Sequence, residues 1–471
     1  MKQKKYAQGS EHIIFHVDVN SAFLSWTAVK RLQDDPNAVD LRTIPSIIGG
    51  DRETRHGIVT AKSLPAKKYG IQTGEPVAKA LQKYPLLEIA GSDFQTYRKF
   101  SHAFIDILRS YTPHIEQASI DEAYMDVTDL KGSYPDFPIG LAESIKNKIR
   151  DTLGFTVNVG ISTNKLLAKM ASDFTKPDRI HTLYPDEVEK KMWPLSVGDL
   201  FGCGKKTAQR MEAFGINTIG DAANTPVETL QAVLGEKAGA YIHRAANGLG
   251  SNALTEVRED AKSYSNEITT REDITEKNYR EQLPPLLEKL CSKVSARMQK
   301  DRVYAGTIFV QIKTSDFKRR SMQTKMMDPT NDKDMLMKTA AELCEQLMNG
   351  ENGVFTQEQG VRLVGVGGTD LDDGSYRQMN LLDFFAAQEQ EEKDRQERER
   401  AEAQERAAEK ARRIQEEKNE QEKRRREDKL QRLMNMTQSI NKRYGQGAVH
   451  KGAPDKAGVD KVEADDPDWF K

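Results

Sequence analysis

The chain has 471 residues, which at roughly 150 residues per domain predicts about three domains. Its 71 basic residues are balanced by 72 acidic ones, so no bulk positive field exists and a nucleic-acid partner must be held by local patches. The cysteines Cys203, Cys291 and Cys344 are far apart and lack a CxxC spacing, which argues against a disulfide framework or a structural zinc site. Because no segment resembles a signal peptide or a membrane span, we expect a soluble, cytoplasmic protein.

The first part of the chain, after a polar leader at 1–11, predicts an α+β unit. HIIFHVDVNSAFLSW predicts a buried strand that runs into a helix, and GIVTAKSLPAKKYGI predicts a strand and a short helix that begins near Pro65 and ends at Gly70. TYRKFSHAFIDILRSYTP predicts an amphipathic helix, and HIEQASIDEAYMDVTDL alternates like a hairpin around an acidic centre. A helix at 140–153 and the strand FTVNVGIS complete a mixed sheet covered by helices.

The later part of the chain predicts two further units and a tail. Residues 196–250 contain short helices punctuated by glycine, and a polar connector then leads to a last α/β unit with helices at 280–299 and 332–349. From residue 386 the composition changes to mixed-sign charge with many i,i+4 pairs. This predicts a solvated single helix or a partly disordered tether, with a weak coiled coil as the alternative.

Three carboxylates near strand ends point to a metal site. Asp18 lies at the end of the first strand, and Asp121 and Glu122 lie in the SIDEAYMD hairpin. A carboxylate in such a place loses its hydration unless a cation or hydrogen bonds replace it. Oxygen ligands without histidine or cysteine suit Mg²⁺, and two such ions can activate a hydroxyl and stabilise a pyrophosphate leaving group. The alternative is that these are turn carboxylates that accept backbone hydrogen bonds.

Five motifs, in this order, resemble the Y-family DNA polymerases and are similar to the bacterial DNA polymerase IV type: HVDVNSAF, GIVTAKSLPAKKYGI, SIDEAYMDVTD, GISTNKLLAKMASDFTKPD and FGCGKKTAQRMEAFGI. The resemblance covers roughly residues 12–385. It implies an α+β multidomain protein with the right-hand arrangement of a polymerase. The implied parts are a palm at 12–195 with small fingers inserted at about 40–90, a helix-hairpin-helix thumb at 196–250, a linker at 251–262, a little finger at 263–377, a clamp-binding peptide at 378–385 and a charged helical or disordered tail at 386–471.

The resemblance also implies roles for residues of the nucleotide site. It makes Asp18, Asp121 and Glu122 the ligands of two Mg²⁺ ions, with the backbone carbonyl of Val19 as a further ligand. Phe23 falls at the position of the steric gate, a rigid aromatic ring that leaves no room for a 2′-hydroxyl. Lys67 and Lys176 fall at positions that meet the triphosphate.

Several positions depart from the family pattern. Lys67 stands where an arginine is usual, Leu64 where a tyrosine is usual, and Ala61 where a hydroxyl residue is usual. Asn20 and Ala22 likewise replace a common aspartate and aromatic residue. Lysine keeps the charge of arginine but loses its two-pronged hydrogen bonding, so we expect weaker nucleotide binding with intact chemistry.

Two segments are implied to bind DNA. GCGKKTAQRMEAFGI is similar to a helix-hairpin-helix element, in which backbone N–H groups and basic side chains approach a phosphate, with a plain tight turn as the alternative. Its candidate residues are Gly202, Gly204, Lys205 and Lys206. Residues 297–326 contain eight basic and two acidic residues, which predicts duplex backbone binding, with a solvated strand face as the alternative. Its candidate residues include Lys318, Arg319 and Arg320.

Gln378, Leu381 and Leu382 in QMNLLDFF resemble a peptide that binds the sliding clamp. The alternative is a strand that packs on its own domain. Together these features imply a monomeric, low-fidelity translesion DNA polymerase without proofreading, acting on primer-template DNA and deoxynucleoside triphosphates. The rivals are a catalytically weak or inactive DNA-binding accessory protein and, less favoured because of the thumb and the basic domain, a nucleotidyl cyclase.

Overall fold

The computed structural model describes residues 12–50, 57–255, 260–374 and 381–445, together with residues 447 and 449. The chain divides into two compact units, 1–374 and 375–471, which are described separately. The polar leader at 1–11 lies outside the described residues. Within the described part of the chain, no helix combines the length and the apolar character needed to cross a membrane. A cytoplasmic location stays a prediction.

The secondary structure follows the order α/β, helical, α/β, long helix. The strands are β1 (Ile14–Val19), β2 (Ser46–Gly49), β3 (Val59–Lys62), β4 (Glu88–Ala90), β5 (Ile115–Gln117), β6 (Glu122–Asp126), β7 (Val157–Ser162), β8 (Ile180–Thr182), β9 (Ser263–Ile274), β10 (Tyr304–Thr314), β11 (Arg319–Thr330) and β12 (Val361–Asp372). The α-helices are α1 (Ala22–Asp34), α2 (Leu64–Lys68), α3 (Val77–Lys83), α4 (Phe94–Arg109), α5 (Ile139–Leu153), α6 (Lys165–Asp173), α7 (Val188–Lys191), α8 (Lys205–Glu212), α9 (Ile219–Asn224), α10 (Val227–Leu234), α11 (Glu236–Ala246), α12 (Tyr279–Asp301), α13 (Lys333–Asn349) and α14 (Leu381–Tyr444).

The first sheet has the strand order β5-β6-β1-β7-β8 and is mixed, as predicted. β1 is antiparallel to β6 and β7, whereas β7 and β8 are parallel. Every residue of β1 and β7 is buried, since α1, α4 and α5 pack on one face of the sheet and α6 packs on the other. The two faces of β1 differ, since Phe15, Val17 and Val19 pack in the core on one side, whereas His16 and Asp18 project towards α6.

Helix α6 lies directly against the backbone of β7 because Gly160 has no side chain. A Cβ at this position would lie 2.0 Å from the carbonyl oxygen of Ala168 and 2.5 Å from the amide nitrogen of Ser172. Only glycine permits so close an approach of a helix to a strand. The contact fixes α6 over the centre of the sheet, above the end of β1.

Two smaller parts of unit 1 flank this sheet. A three-stranded sheet of order β3-β2-β4 packs with α2 and α3, and the predicted strand and short helix of GIVTAKSLPAKKYGI are confirmed. Ser63 caps α2 by accepting a hydrogen bond from the amide of Ala66 at 3.1 Å. The predicted short helices of 196–250 are also present, and α8 to α11 share a core that continues into α6 and includes Ile219, Leu230 and Ile242.

The last α/β part has a four-stranded antiparallel sheet of order β11-β10-β12-β9, with α12 and α13 on one face. Its two helices and three of its strands were predicted. β9 was not, because its sequence SYSNEITTREDI buries only Tyr264 and Ile274. Its polar residues Ser265 and Glu267 lie on the open face of the sheet, opposite Gly367 and Gly365.

The second unit is formed by α14, a single helix of 64 residues. The helical alternative for the charged tail is therefore found over this range, whereas the coiled-coil alternative is not tested. In unit 1 the three cysteines are buried free thiols, as predicted from their spacing.

Candidate active site

The three predicted carboxylates meet at one end of the first sheet. Asp18 in β1 is directly opposite Glu122 in β6, and side chains of such a cross-strand pair project from the same face. Asp121 precedes β6, and its carbonyl oxygen accepts a hydrogen bond from the amide of Val19 at 3.0 Å. The Oδ1 atom of Asp121 accepts a hydrogen bond from the hydroxyl of Ser119 at 2.7 Å. Pairing of β1 with the hairpin thus joins residues that are a hundred positions apart.

Two lysines contact Asp18 and Glu122 of this acidic cluster. The Nζ atom of Lys169 on α6 lies 3.2 Å from Asp18 Oδ2 and 2.7 Å from Glu122 Oε1. The Nζ atom of Lys176 lies 3.0 Å from Asp18 Oδ2, and Asp173 contacts both ammonium groups, at 3.3 Å and 2.8 Å. The sequence interpretation missed Lys169. A signal existed, since it is the single charged residue within the otherwise uncharged LLAKMAS run of a buried helix.

Burial and these charges shift the ionisation of the cluster in opposite directions. Burial raises the pKa of Asp18 to about 6, although Lys176 and Lys169 act against it. The imidazole of His16, whose Nε2 lies 3.7 Å from Glu122 Oε2, lowers the pKa of Glu122 together with Lys169. Burial tends to lower the pKa of Lys169, but the carboxylates of Asp18 and Glu122 outweigh it and raise that pKa. The pKa of Asp18 is therefore raised, whereas the pKa of Glu122, which faces it, is lowered.

The donor set suits a hard divalent cation. Among the described residues, no three acidic, histidine or cysteine side chains already surround one point at which an ion could lie. Carboxylate oxygens of Asp18 and Glu122 contact the ammonium groups of Lys169 and Lys176. These ammonium groups show that the site attracts positive charge, and its carboxylate oxygens are the ligands that Mg²⁺ prefers.

The carboxylates line a cleft of about 490 Å³ between the first sheet and the β3–α2 segment. The remaining predicted nucleotide residues, Phe23, Lys67 and Lys176, line the same cleft. Residues that were not singled out as phosphate contacts also line it, among them Thr60, Lys62, Ser63 and Thr73. The structure therefore places the predicted metal, sugar and phosphate residues around one space.

Phe23 is held rigidly at the edge of this cleft. Its ring stacks on that of Tyr97, with centroids 4.6 Å apart and planes 14° apart. Phe94 contacts the Phe23 ring edge-on at 6.0 Å, and Trp26 packs against it at 6.0 Å. A ring fixed on three sides cannot turn away easily when a larger ligand enters.

Asn20, one of the departures from the family pattern, forms hydrogen bonds with other residues of the protein. Its Oδ1 accepts hydrogen bonds from the hydroxyl of Thr156 at 3.0 Å and from the amide of Asp178 at 2.9 Å. Its Nδ2 donates to Asn158 Oδ1 at 3.1 Å. These bonds tie the end of β1 to the loop that carries Lys176, so Asn20 positions that lysine rather than a ligand.

Comparisons with known proteins agree with this geometry. The impB/mucB/samB family model matches residues 17–173, its C-terminal domain matches 261–381, and the thumb domain of DNA polymerase-iota matches 198–249. A protein named DNA polymerase IV from Clostridium acetobutylicum is 42% identical over 372 residues, covering 79% of this chain and 90% of that protein. One named DNA polymerase IV 1 from Bacillus subtilis is 31% identical over 448 residues and covers 94% of each chain. The chain belongs to the DNA polymerase IV family.

Solved structures support the same fold. A Y-family DNA polymerase chimera of Dbh and Dpo4 aligns with a TM-score of 0.65 and 24% identity, covering 76% of this chain and 98% of that one. A structure titled as an insertion ternary complex of Dbh DNA polymerase aligns with a TM-score of 0.51. The predicted Y-family fold is confirmed, as is the prediction of a translesion DNA-directed DNA polymerase. Membership implies DNA and nucleotides as ligands and dependence on a divalent metal.

The predicted thumb contact of this DNA polymerase IV family member lies at the start of α8. Gly204 is the N-cap and has no side chain to cap the helix, so backbone N–H groups at this end are available to an anion. Gly202 has a φ of 86°, and a Cβ there would lie 2.5 Å from the hydroxyl oxygen of Tyr241. Lys205 and Lys206 begin the helix and are exposed.

The three predicted basic residues of the little finger do not share one surface. Arg319 pairs with Lys313, on the open face of the sheet, where it contacts Glu267 Oε2 at 3.3 Å. Arg320 pairs instead with the fully buried Ile312 and so projects from the helix-covered face. There its guanidinium donates to the carbonyl of Asn352 at 2.8 Å and to Gln357 at 2.7 Å. Lys318 precedes the strand and pairs with Asp316 at 2.9 Å.

Of the predicted clamp peptide, Gln378 lies outside the described residues. The backbone at Leu381 and Leu382 forms the first turn of α14. The clamp-binding role of the three residues stays a prediction.

Proposed function

We propose that this protein extends a DNA primer by two-metal nucleotidyl transfer in the cleft between the first sheet and the β3–α2 segment. One observation carries the proposal: the carboxylates, the aromatic ring and the phosphate-binding lysines expected for this reaction all line the same cleft. The 490 Å³ of the cleft also falls within the roughly 300–1,000 Å³ usual for small-molecule sites.

The acidic end of the cleft would hold two Mg²⁺ ions through Asp18, Asp121, Glu122 and the carbonyl of Val19. Bound Mg²⁺ supplies positive charge opposite the phosphate oxygens and favours ionisation of the attacking primer hydroxyl. The protein's own part is to hold the carboxylates in register across β1 and β6, which costs no rearrangement during the reaction.

The other walls select and orient the nucleotide. Lys67 and Lys176 bind phosphate oxygens as point charges. Phe23 lies under the sugar and excludes a 2′-hydroxyl, because its contact with Tyr97 prevents the ring from yielding. Selection of deoxyribonucleotides is then a consequence of rigid packing.

DNA is held outside the cleft by contacts that do not depend on base sequence. The start of α8, with Gly202, Gly204, Lys205 and Lys206, binds one backbone. Arg319 on the open face of the little finger and Lys318 in the turn before β11 bind the duplex. Arg320 is assigned to the internal packing of that domain. The protein works as a monomer of low fidelity without proofreading, and residues 378–385 recruit it to the sliding clamp.

Primer extension on undamaged and lesion-bearing templates tests the proposal, with Asp121→Ala as the inactive variant and Asp106→Ala as its control. Asp106 is an exposed carboxylate of α4 outside the cleft. We expect Mg²⁺-dependent extension by the wild type and by Asp106→Ala, and none by Asp121→Ala, which should still bind primer-template DNA. A wild type that binds DNA but adds no nucleotide would support the accessory protein, and primer-independent pyrophosphate release would support the cyclase.

Clamp recruitment needs a separate experiment. Deletion of 378–382 should abolish capture of the protein on immobilised sliding clamp while leaving primer extension without clamp unchanged. Full retention of clamp binding by the deletion variant would refute this part of the proposal.

A further inference from the structure

Lys62 is the last residue of β3 and lines the wall of the cleft opposite the carboxylates. Neither the sequence motifs nor the family resemblance gives it a role. Together with Lys67 and Lys176, it is one of three lysines among the described residues that line this cleft. Lys62 and Lys67 come from the β3–α2 side of the cleft, whereas Lys176 lies beside Asp18 at the carboxylate end.

The ammonium group of Lys62 is fixed in place, unlike that of an ordinary surface lysine. Its Nζ donates a hydrogen bond to the carbonyl oxygen of Ile71 at 2.7 Å, and Ile71 is itself 1% exposed. Lys62 is half-buried. A lysine held in this way has already lost much of its rotamer entropy, so less is lost when it binds an anion.

The charges around Lys62 favour an anion. Burial and then the positive charge of Lys67 lower the pKa of Lys62. Glu75 acts in the opposite direction, but its Oε2 accepts a hydrogen bond from Lys83 at 2.6 Å. Lys62 and Lys67 thus place two positive charges beside the cleft, and the nearby carboxylate of Glu75 is shared with Lys83. The two charges repel each other, and a bound anion would relieve that repulsion.

We propose that Lys62 is a substrate-binding residue that, with Lys67 and Lys176, binds the triphosphate of the incoming nucleotide. This inference rests on the proposed function, since the metal-binding carboxylates at the opposite end place the phosphates within this cleft. A DNA backbone phosphate is the less suitable ligand, because Lys62 lies on the same wall as Leu64 and Lys67 within the nucleotide cleft. Lys62 thereby replaces part of the hydrogen bonding that Leu64 and Lys67 do not provide.

Single-nucleotide incorporation by the full chain tests the proposal, using Lys62→Met, Lys62→Arg and the control Lys68→Met. Lys68 is exposed on the neighbouring helix and does not line the cleft. Loss of a charge-assisted contact predicts a rise of about ten-fold or more in KM for the deoxynucleotide, with kcat within about two-fold. Lys62→Arg should recover most of the affinity, and Lys68→Met should match the wild type.

Two further measurements separate nucleotide binding from folding and from catalysis. Thermal unfolding of each variant shows whether loss of the Ile71 contact alone accounts for a change, and titration with a fluorescent deoxynucleotide measures binding without turnover. An unchanged KM and nucleotide affinity in Lys62→Met, or a fall in kcat that follows reduced thermal stability, overturns the proposal and leaves Lys62 as an anchor of the Ile71 turn. If the wild type incorporates no nucleotide, the proposed function fails, whereas the titration still decides whether Lys62 binds phosphate.

Discussion

Asp18 and Glu122 face each other across β1 and β6, and the ammonium group of Lys169 contacts both carboxylates, at 3.2 Å and 2.7 Å. Opposed like charges destabilise a strand pair unless a cation lies between them. The Lys169 side chain is 10% exposed. It comes from α6, which packs on the face of the sheet from which both carboxylates project. Lys169 therefore supplies a positive charge that offsets the repulsion between the two carboxylates.

Replacement of Lys169 should make the protein depend on a metal for stability. Removing one partner of a buried ion pair costs roughly 3–5 kcal/mol, so Lys169→Met should lower the free energy of unfolding of the metal-free protein by about that amount. Mg²⁺ should then raise the melting temperature more in Lys169→Met than in the wild type. The control is Lys165→Met, which breaks the separate ion pair with Glu116 and should gain no extra stabilisation from Mg²⁺. Equal responses to Mg²⁺ in all three proteins would contradict this role of Lys169.

Loss of the Phe23 ring should relax sugar selection. Phe23→Ala removes the ring that stacks on Tyr97, so the space needed by a 2′-hydroxyl opens. We expect the ratio of ribonucleotide to deoxyribonucleotide incorporation, measured as kcat/KM, to rise at least about ten-fold. Phe100→Ala removes a nearby ring that packs on Trp26 and Phe155 and does not line the cleft, so it should leave the ratio nearly unchanged. Unaltered discrimination in Phe23→Ala would remove the steric-gate assignment.

A methyl group at Gly160 should displace α6. A Cβ at this position would lie 2.0 Å from the carbonyl oxygen of Ala168, so the helix that carries Lys169 must move away from β7. We expect Gly160→Ala to lower the free energy of unfolding by roughly 1–3 kcal/mol and to reduce primer extension. Gly91→Ala is the matched control, since a Cβ there meets nothing within 4 Å. A Gly160→Ala protein as stable and active as this control would show that α6 tolerates the displacement.

Arg319 and Arg320 should differ in their effect on DNA binding despite being adjacent. Arg319→Ala on the open face should weaken binding to primer-template DNA and reduce the slope of log affinity against log salt by about one. Arg320→Ala should leave that slope unchanged and lower thermal stability, because its guanidinium holds Asn352 and Gln357. Fluorescence anisotropy over a range of salt concentrations measures both slopes. Equal loss of DNA affinity in the two variants would show that Arg320 also reaches DNA.

Features that depend on neighbours in sequence were predicted well. The apolar run that ends at Asp18, the alternating hairpin around Asp121 and the short helix that begins near Pro65 each carry a local signal, and each element is present. β9 was missed because its residues are mostly polar, and its place in the sheet depends on pairing with β12, almost a hundred residues later.

The sequence by itself determined the family, the three carboxylates and the aromatic residue beside them, since these lie in short motifs whose order is legible without a structure. Only the tertiary structure decided what surrounds them. Lys169 reaches Asp18 because Gly160 lets α6 rest on β7, and Lys62 faces the cleft because β3 lies along its wall. Both placements arise from packing between segments that are distant in sequence. Strand register and helix position, rather than neighbours in sequence, fix the direction in which each side chain points.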